Sequence, residues 1–224
     1  MKFSEQLRER AHKVWEDGYN HPFVQEIGKG TLDKEKFKFY LLQDYLYLMQ
    51  YAKVFALAVV KAKDEDTMRW LTGVQNLIFN TEMDLHRGYM TSYGIKSEEV
   101  ANVKSSLYNR TYTANLLATA QTGDLLDILV AVYPCCCTYS DYAIRLKNEY
   151  GHLLESNFYK SWIDNYSQEE YAEFCNWFDD KIEELVANKT EAEKERLIDI
   201  FVSGVEFEYL FWDMGYKMEM GYKL

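Results

Sequence analysis

The sequence predicts an all-α chain folded as a helical bundle, with residues 1–224 forming a single domain. Three observations lead there. Apolar residues recur at helical spacing along most of the 224 residues. No run reads as a convincing strand, and no strong hairpin dipeptide joins two such runs. The connections are short, with no repeat, low-complexity tract or linker. With 48% hydrophobic residues, a sizeable core is available.

Taken in order, the first helix covers Ser4 to about Tyr19, with Leu7, Ala11, Val14 and Trp15 near one face. A short element over His21–Ile27 stops at Gly28 and Gly30, glycine being the usual residue past a helix end. Thr31 is the expected N-cap of a long helix from about Asp33 to Lys63 that is apolar nearly all round and therefore buried. Asp64, Glu65 and Asp66 make an acidic first turn for a helix reaching Tyr93 and Gly94. Ser97 caps a short helix, and a looser link crosses Lys104 to Ser106. Helix resumes from about Tyr108 to Gln121 and stops at Gly123. Asp124 opens a helix that fades at Tyr150 and Gly151. A short piece follows over Ser156–Tyr166. Ser167 with Glu170 and Thr190 with Glu193 read as capping boxes for the last two helices, Gln168–Ala187 and Glu191 to about Met218.

Composition excludes several function classes. A net charge of −11 opposes binding to nucleic-acid phosphates, which needs clustered Lys and Arg. No apolar run approaches the roughly 20 residues of a membrane span, and the charged N-terminal stretch has no signal core. Three of the four cysteines are neighbours, Cys135, Cys136 and Cys137, which does not suit a secreted disulfide framework. A cytoplasmic, reducing location is expected.

One of only two prolines, Pro134, stands just before those thiols, inside the helix that begins at Asp124. Proline has no N–H to give, and its ring clashes with the carbonyl four residues back, here Val130, so the helix is expected to kink or restart. A thiol beside a backbone irregularity, with Tyr139 one turn beyond Cys135, can be a nucleophile. On local sequence alone the ordinary reading is a small packed hydrophobe. A shared metal is disfavoured, because adjacent helical side chains diverge by about 100°. A di-iron bundle needs a Glu-x-x-His pair on each of two helices. Glu149–His152 matches once, across a glycine, and Glu82 and His86 have the wrong spacing. The ordinary reading of both histidines is a core or surface hydrogen bond. No dinucleotide fingerprint, Walker loop or Gly-x-Ser-x-Gly elbow is present.

Two carboxylates lie among apolar neighbours. Asp44 shares a helix face with Tyr47 and Tyr51. Glu208 has Leu197, Phe201, Phe211 and Trp212 on its side, whereas Glu206 points 160° away and is expected in solvent. Burial favours a protonated carboxyl, which suits an acid catalyst. For both residues a partnered core carboxylate and a catalytic one are left equally open.

Several stretches together resemble one family, thiaminase II (TenA). They are His21-Pro22-Phe23-Val24-Gln25 with Gly28 and Gly30, Phe37 through Tyr47 containing Leu42-Gln43-Asp44, and Glu82-Met83 with Leu85-His86-Arg87. Further on come Pro134-Cys135 with Tyr139, Trp162-Ile163 with Tyr166, and Glu208-Tyr209 with Phe211-Trp212, Met214 and Tyr216. They span nearly the whole chain. The resemblance implies a haem-oxygenase-like fold and a cofactor-free hydrolase of thiamin salvage. Such enzymes release 4-amino-5-hydroxymethyl-2-methylpyrimidine from its aminomethyl analogue or from thiamin. It implies the cysteine-dependent branch, with Cys135 as the nucleophile adding to ring carbon C6, and Glu208 protonating the leaving amine and then activating water. Tyr47 would hydrogen-bond the thiol. Asp44 would hold the 4-amino group and N3, Tyr166 and Tyr139 would bind the ring, and Tyr112 would complete the pocket. No metal is implied, and the family commonly forms homotetramers. Cys136, Cys137, Ser140 and Asp141 depart from the family's usual residues. The competing readings are a metal-dependent oxidase on the same fold and a non-catalytic pyrimidine-binding or regulatory protein.

Overall fold

The computed structural model describes residues 1–95 and 97–221, without the side chains of residues 97, 98 and 101, and among these every regular element is helical. In chain order the α-helices are α1 (Phe3–Tyr19), α2 (Pro22–Lys29), α3 (Lys34–Lys61), α4 (Glu65–Leu77), α5 (Met83–Ser92), α6 (Ser97–Asn102) and α7 (Leu107–Thr122), then α8 (Leu125–Tyr150), α9 (Lys160–Ser167), α10 (Glu169–Val186) and α11 (Glu191–Lys217). A π turn, Ile78–Glu82, joins α4 to α5, and a 3-10 turn, Gly151–Ser156, follows α8. The cap expected from Ser97 lies outside the described side chains.

Local chemistry sets most of the ends. His21 caps α2 by accepting the Phe23 N–H on Nδ1 at 3.1 Å, Pro22 occupies the first turn, and Gly30 closes it in the left-handed region at φ 72°. Asp64 caps α4 through the Thr67 N–H at 2.8 Å, and Ser106 caps α7 through Asn109 at 3.0 Å. The capping box at Thr190 and Glu193 forms in both directions, at 2.8 and 3.3 Å.

Four expectations are corrected. α3 starts at Lys34, so Thr31 is not its cap. The chain bends at Leu32, which is buried and whose carbonyl accepts from Tyr159 Oη at 2.5 Å, before α3 begins. Ser167 does not open a capping box. It is the last residue of α9, and the extended residue before α10 is Gln168, at φ −75° and ψ 156°. α8 does not restart at Pro134 but runs unbroken from Leu125 to Tyr150. The helix expected from Asp64 to Tyr93 is interrupted by the π turn.

Contacts divide the chain into two units: Met1–Asp33 with Leu129–Asp213, and Lys34–Ile128 with the residues from Met214 on. The first unit packs Phe178 and Phe201 against Tyr133, each 5.8 Å from its ring, and Trp15 stacks on Phe201 at 6.4 Å. The buried Tyr133 hydroxyl bonds Arg8 and Asp179, and Arg8 pairs with Asp179 at 3.5 Å, so this phenol is not left unsatisfied in the core. Within the same unit α11 crosses α8 at Gly204. A Cβ there would stand 2.6 Å from Pro134 Cγ, so the glycine gives the proline ring its room. In the second unit α3 is the central helix, flanked by α4, α5 and α7. Gln43 ties it to the loop before α7, donating to the Lys104 carbonyl at 3.0 Å and accepting the Ser106 N–H at 2.8 Å.

Candidate active site

α8 presents its three consecutive thiols differently, as 3.6 residues per turn requires. Cys136 and Cys137 are buried, with Sγ donating to the carbonyls of Tyr133 at 3.3 Å and Pro134 at 3.7 Å. Burial pushes both thiols well above the usual range. Cys175 is buried as well, its thiol on the Cys136 carbonyl at 3.5 Å. Cys135 is the one cysteine with partial exposure. Reactive thiols need that access, and packed ones lack it.

The first unit, which carries Cys135, also holds three of the other expected residues. Tyr139, one turn on, packs edge-on against Tyr166 of α9 at 4.9 Å between ring centres. Trp162 and Trp212 complete an aromatic cluster with them, at 5.6 and 4.9 Å from Tyr139. Tyr139 and Tyr166 are both buried. Glu208 sits one turn before Trp212 on α11 and is 3% exposed, while Glu206 is exposed, as their apolar and polar faces predict. Beyond burial, the charge of Glu208 is among the causes that raise the Cys137 thiol and the Tyr142 phenol of α8.

The second unit holds the remaining three. Asp44, Tyr47 and Tyr112 are all buried. The Tyr47 ring stacks on Tyr51 at 5.3 Å and leans on Tyr112 of α7 at 5.1 Å. Asp44 is partnered: Nε2 of His86 lies 2.6 Å from its Oδ2, and the Tyr40 hydroxyl reaches the same oxygen at 3.5 Å. His86 is fixed on its other side, with Nδ1 2.8 Å from the Glu82 carbonyl. Burial pushes the Glu82 carboxyl up to about 7, helped by the charge of Asp44.

The sequence points to both carboxylates and to a hydrogen-bonding role for His86, but not to Asp44 as its partner. Both ring nitrogens of His86 are engaged, and neither faces an open coordination position. The other candidate pair is also unsuited, since His152 is exposed and Glu149 accepts from Tyr19 Oη at 2.7 Å. Among the described residues no group of three or more His, Cys, Asp or Glu side chains is arranged to hold an ion. No described helix is long and apolar enough to cross a membrane.

Residues 8–218 match the model of the TENA/THI-4/PQQC family. An aminopyrimidine aminohydrolase of Halalkalibacterium halodurans is 40% identical over 98% of both chains. One of Helicobacter pylori is 41% identical over 97% of this chain and the whole of its own. Among solved structures, one from a Silicibacter species, described as a TenA family transcription regulator, superposes with a TM-score of 0.88 at 32% identity, covering 96% of each chain. A domain from Shewanella denitrificans with a haem-oxygenase-like fold superposes at 0.76 with 18% identity, covering 96% of this chain and 92% of its own, and shares the fold alone.

Proposed function

This chain belongs to the TENA/THI-4/PQQC family, and from that premise we propose that it is an aminopyrimidine aminohydrolase of thiamin salvage that works through a covalent bond to Cys135. The observation that carries the mechanism is the contrast among the thiols. Cys135 is partly exposed beside the aromatic cluster of Tyr139 and Tyr166, whereas Cys136, Cys137 and Cys175 are buried. The whole chain, 1–224, acts as one functional domain, and its substrate is 4-amino-5-aminomethyl-2-methylpyrimidine, with thiamin as a second one.

In the proposed reaction Cys135 Sγ, as thiolate, bonds to C6 of the pyrimidine. The ring loses aromaticity and takes a proton on nitrogen, with Tyr166 donating near N1 and Tyr139 beside it. The ring electrons then expel the group on the C5 methylene. That C–N bond breaks, and Glu208 gives its proton to the leaving amine. Water adds to the exposed methylene while Glu208 takes a proton back. Last, the C6–Sγ bond breaks, the ring nitrogen is deprotonated and aromaticity returns. Splitting one displacement into addition and elimination lowers each barrier, and donors aimed at the charged ring act most strongly where water is excluded. Asp44 holds the 4-amino group and N3, Tyr47 supports the thiolate, and Tyr112 lines the pocket. Every group in these steps is a side chain of this chain or water. The working form is a homotetramer in the cytoplasm.

The burial of Glu208 supports its role, because an acid catalyst must stay protonated until the amine leaves. A nucleic-acid regulator is not favoured by a net charge of −11. The test is a Cys135→Ser variant assayed for release of the hydroxymethylpyrimidine from both substrates. Turnover equal to the unaltered chain would overturn the covalent route. Glu208→Gln should bind the pyrimidine but lose turnover, and loss of binding instead would make Glu208 an orienting group.

A further inference from the structure

His86 has a hydrogen-bonding pattern that fixes its protonation. Its Nδ1 lies 2.8 Å from a main-chain oxygen, that of Glu82. A carbonyl only accepts, so Nδ1 carries a proton. Nε2 then faces Asp44 Oδ2 at 2.6 Å, a separation that requires a proton on that line as well. A neutral imidazole with an ionised carboxylate would have none there. The pair therefore holds one extra proton, and Oδ2, which also accepts from the Tyr40 hydroxyl, acts as the acceptor, so the proton sits on the imidazole. Burial alone would lower the His86 pKa, but the Asp44 hydrogen bond and charge, with the Glu82 carbonyl and charge, raise it on balance. Both hydrogen bonds received by Asp44, from His86 and from Tyr40, land on Oδ2, which leaves Oδ1 as the oxygen for a ligand.

We propose that His86 is a positioning residue for Asp44: as a doubly donating imidazolium it anchors Oδ2, so that Oδ1 meets the amidine edge of the aminopyrimidine in one orientation. This rests on the reading of Asp44 as the residue that binds that edge. An anion there accepts from the 4-amino group and stabilises a proton on N3, one of the ring nitrogens that gains charge when sulfur adds at C6. Within this unit the titratable groups facing the imidazole are Asp44 from α3 and Glu82 from the π turn. Tyr40 acts on Asp44, and Asp84 pairs with Arg87 on the exposed side of α5.

The test has two arms. In the ligand-free protein, histidine-selective nitrogen NMR should show the His86 ring doubly protonated at about pH 7.5, above the ordinary range of a histidine, and Asp44→Asn should abolish that signature. A neutral ring in the unaltered protein would overturn the proposal. In the second arm, kcat and KM for the aminomethylpyrimidine are measured for the unaltered chain and for His86→Gln, whose folding is checked by circular dichroism. Glutamine can still donate to Oδ2 but lacks the second anchored donor and the positive charge, so KM should rise about tenfold while kcat changes little. An unchanged KM would mean that His86 only packs. Should the unaltered chain turn over neither substrate, the assigned activity falls, and the NMR arm alone decides the pairing.

Discussion

Replacing Gly204 by alanine tests how closely α11 must approach α8 in the first unit. On propensity alone the change should help, since alanine in a helix interior is favoured over glycine by about 1 kcal/mol. The structure opposes it. The new Cβ would lie 2.6 Å from Pro134 Cγ and 3.3 Å from Pro134 Cβ, where carbon atoms rest at about 3.5–4.0 Å. A proline ring has no rotamer to escape into, so the two helices must part by roughly 1 Å. Overpacking of this kind costs about 1–3 kcal/mol, which leaves a net loss of about 0–2 kcal/mol after the propensity gain, against the gain expected for an uncrowded glycine. The displacement also falls one residue before Cys135 and one turn before Glu208, and a misplacement of about 1 Å can lower turnover about 100-fold. Urea unfolding of the purified variant gives the stability change, and kcat on the aminomethylpyrimidine gives the second. Gly73→Ala is the control. It sits in α4 with nothing within 4 Å of its would-be Cβ, so it should stabilise by about 1 kcal/mol. Gly204→Ala behaving like Gly73→Ala, with kcat unchanged, would refute the claim that the contact at Pro134 is tight.

Three further outcomes follow from the same geometry. Brief alkylation of the native protein should label Cys135 and spare Cys136, Cys137 and Cys175, as read by peptide mapping; equal labelling of the buried thiols would contradict their burial. The fold should lose stability as pH rises from about 4.5 toward 7, because the Glu82 carboxyl is held protonated up to about 7 in the fold and must ionise above that. The loss is at most about 3 kcal/mol. His86 adds in the same sense, its raised pKa giving stability that is complete below the unfolded value and lost as pH climbs through the folded one. Glu82→Gln should flatten the dependence of the urea midpoint on pH, and an equally steep profile would count against the assignment. Gly30→Ala should cost about 1 kcal/mol, since residue 30 sits at φ 72° with Asn157 3.1 Å from the would-be Cβ; unchanged stability would mean that the turn relaxes without strain.

The candidate residues were legible in proportion to how local their cause is. That three adjacent thiols meet different surroundings follows from the helical period, as does the choice of Glu208 over Glu206, whereas Cys135 itself is picked out by the family resemblance. The partnering of Asp44 was legible only as a possibility. Its partner lies 42 residues away, and nothing local to either residue names the other. The misread caps have the same origin. Thr31 has the right side chain, but a tertiary bond from Tyr159 to Leu32 decides where the helix starts. At Ser167, α9 has not yet ended, and a residue in helical conformation cannot cap the next helix. Pro134 does break a local rule. Its ring is accommodated by a glycine on another helix, and such compensation is invisible along a single segment.

The π turn did leave a trace in the pattern. The buried positions run Leu71, Val74, Ile78 and then jump by five to Met83 before resuming at His86, Tyr89 and Met90. A straight α-helix would have brought its inward face round sooner. A π turn amounts to one residue inserted into an α-helix. Deleting an exposed residue such as Asn80 would bring Met83 to four places after Ile78, the spacing that holds one face of an ordinary α-helix. Leu71, Val74 and His86 would then all keep their inward positions. The orientation of that imidazole depends on the π turn absorbing the extra residue: the same chain length wound as plain α-helix would turn His86 about 100° off Asp44, with both residues unaltered.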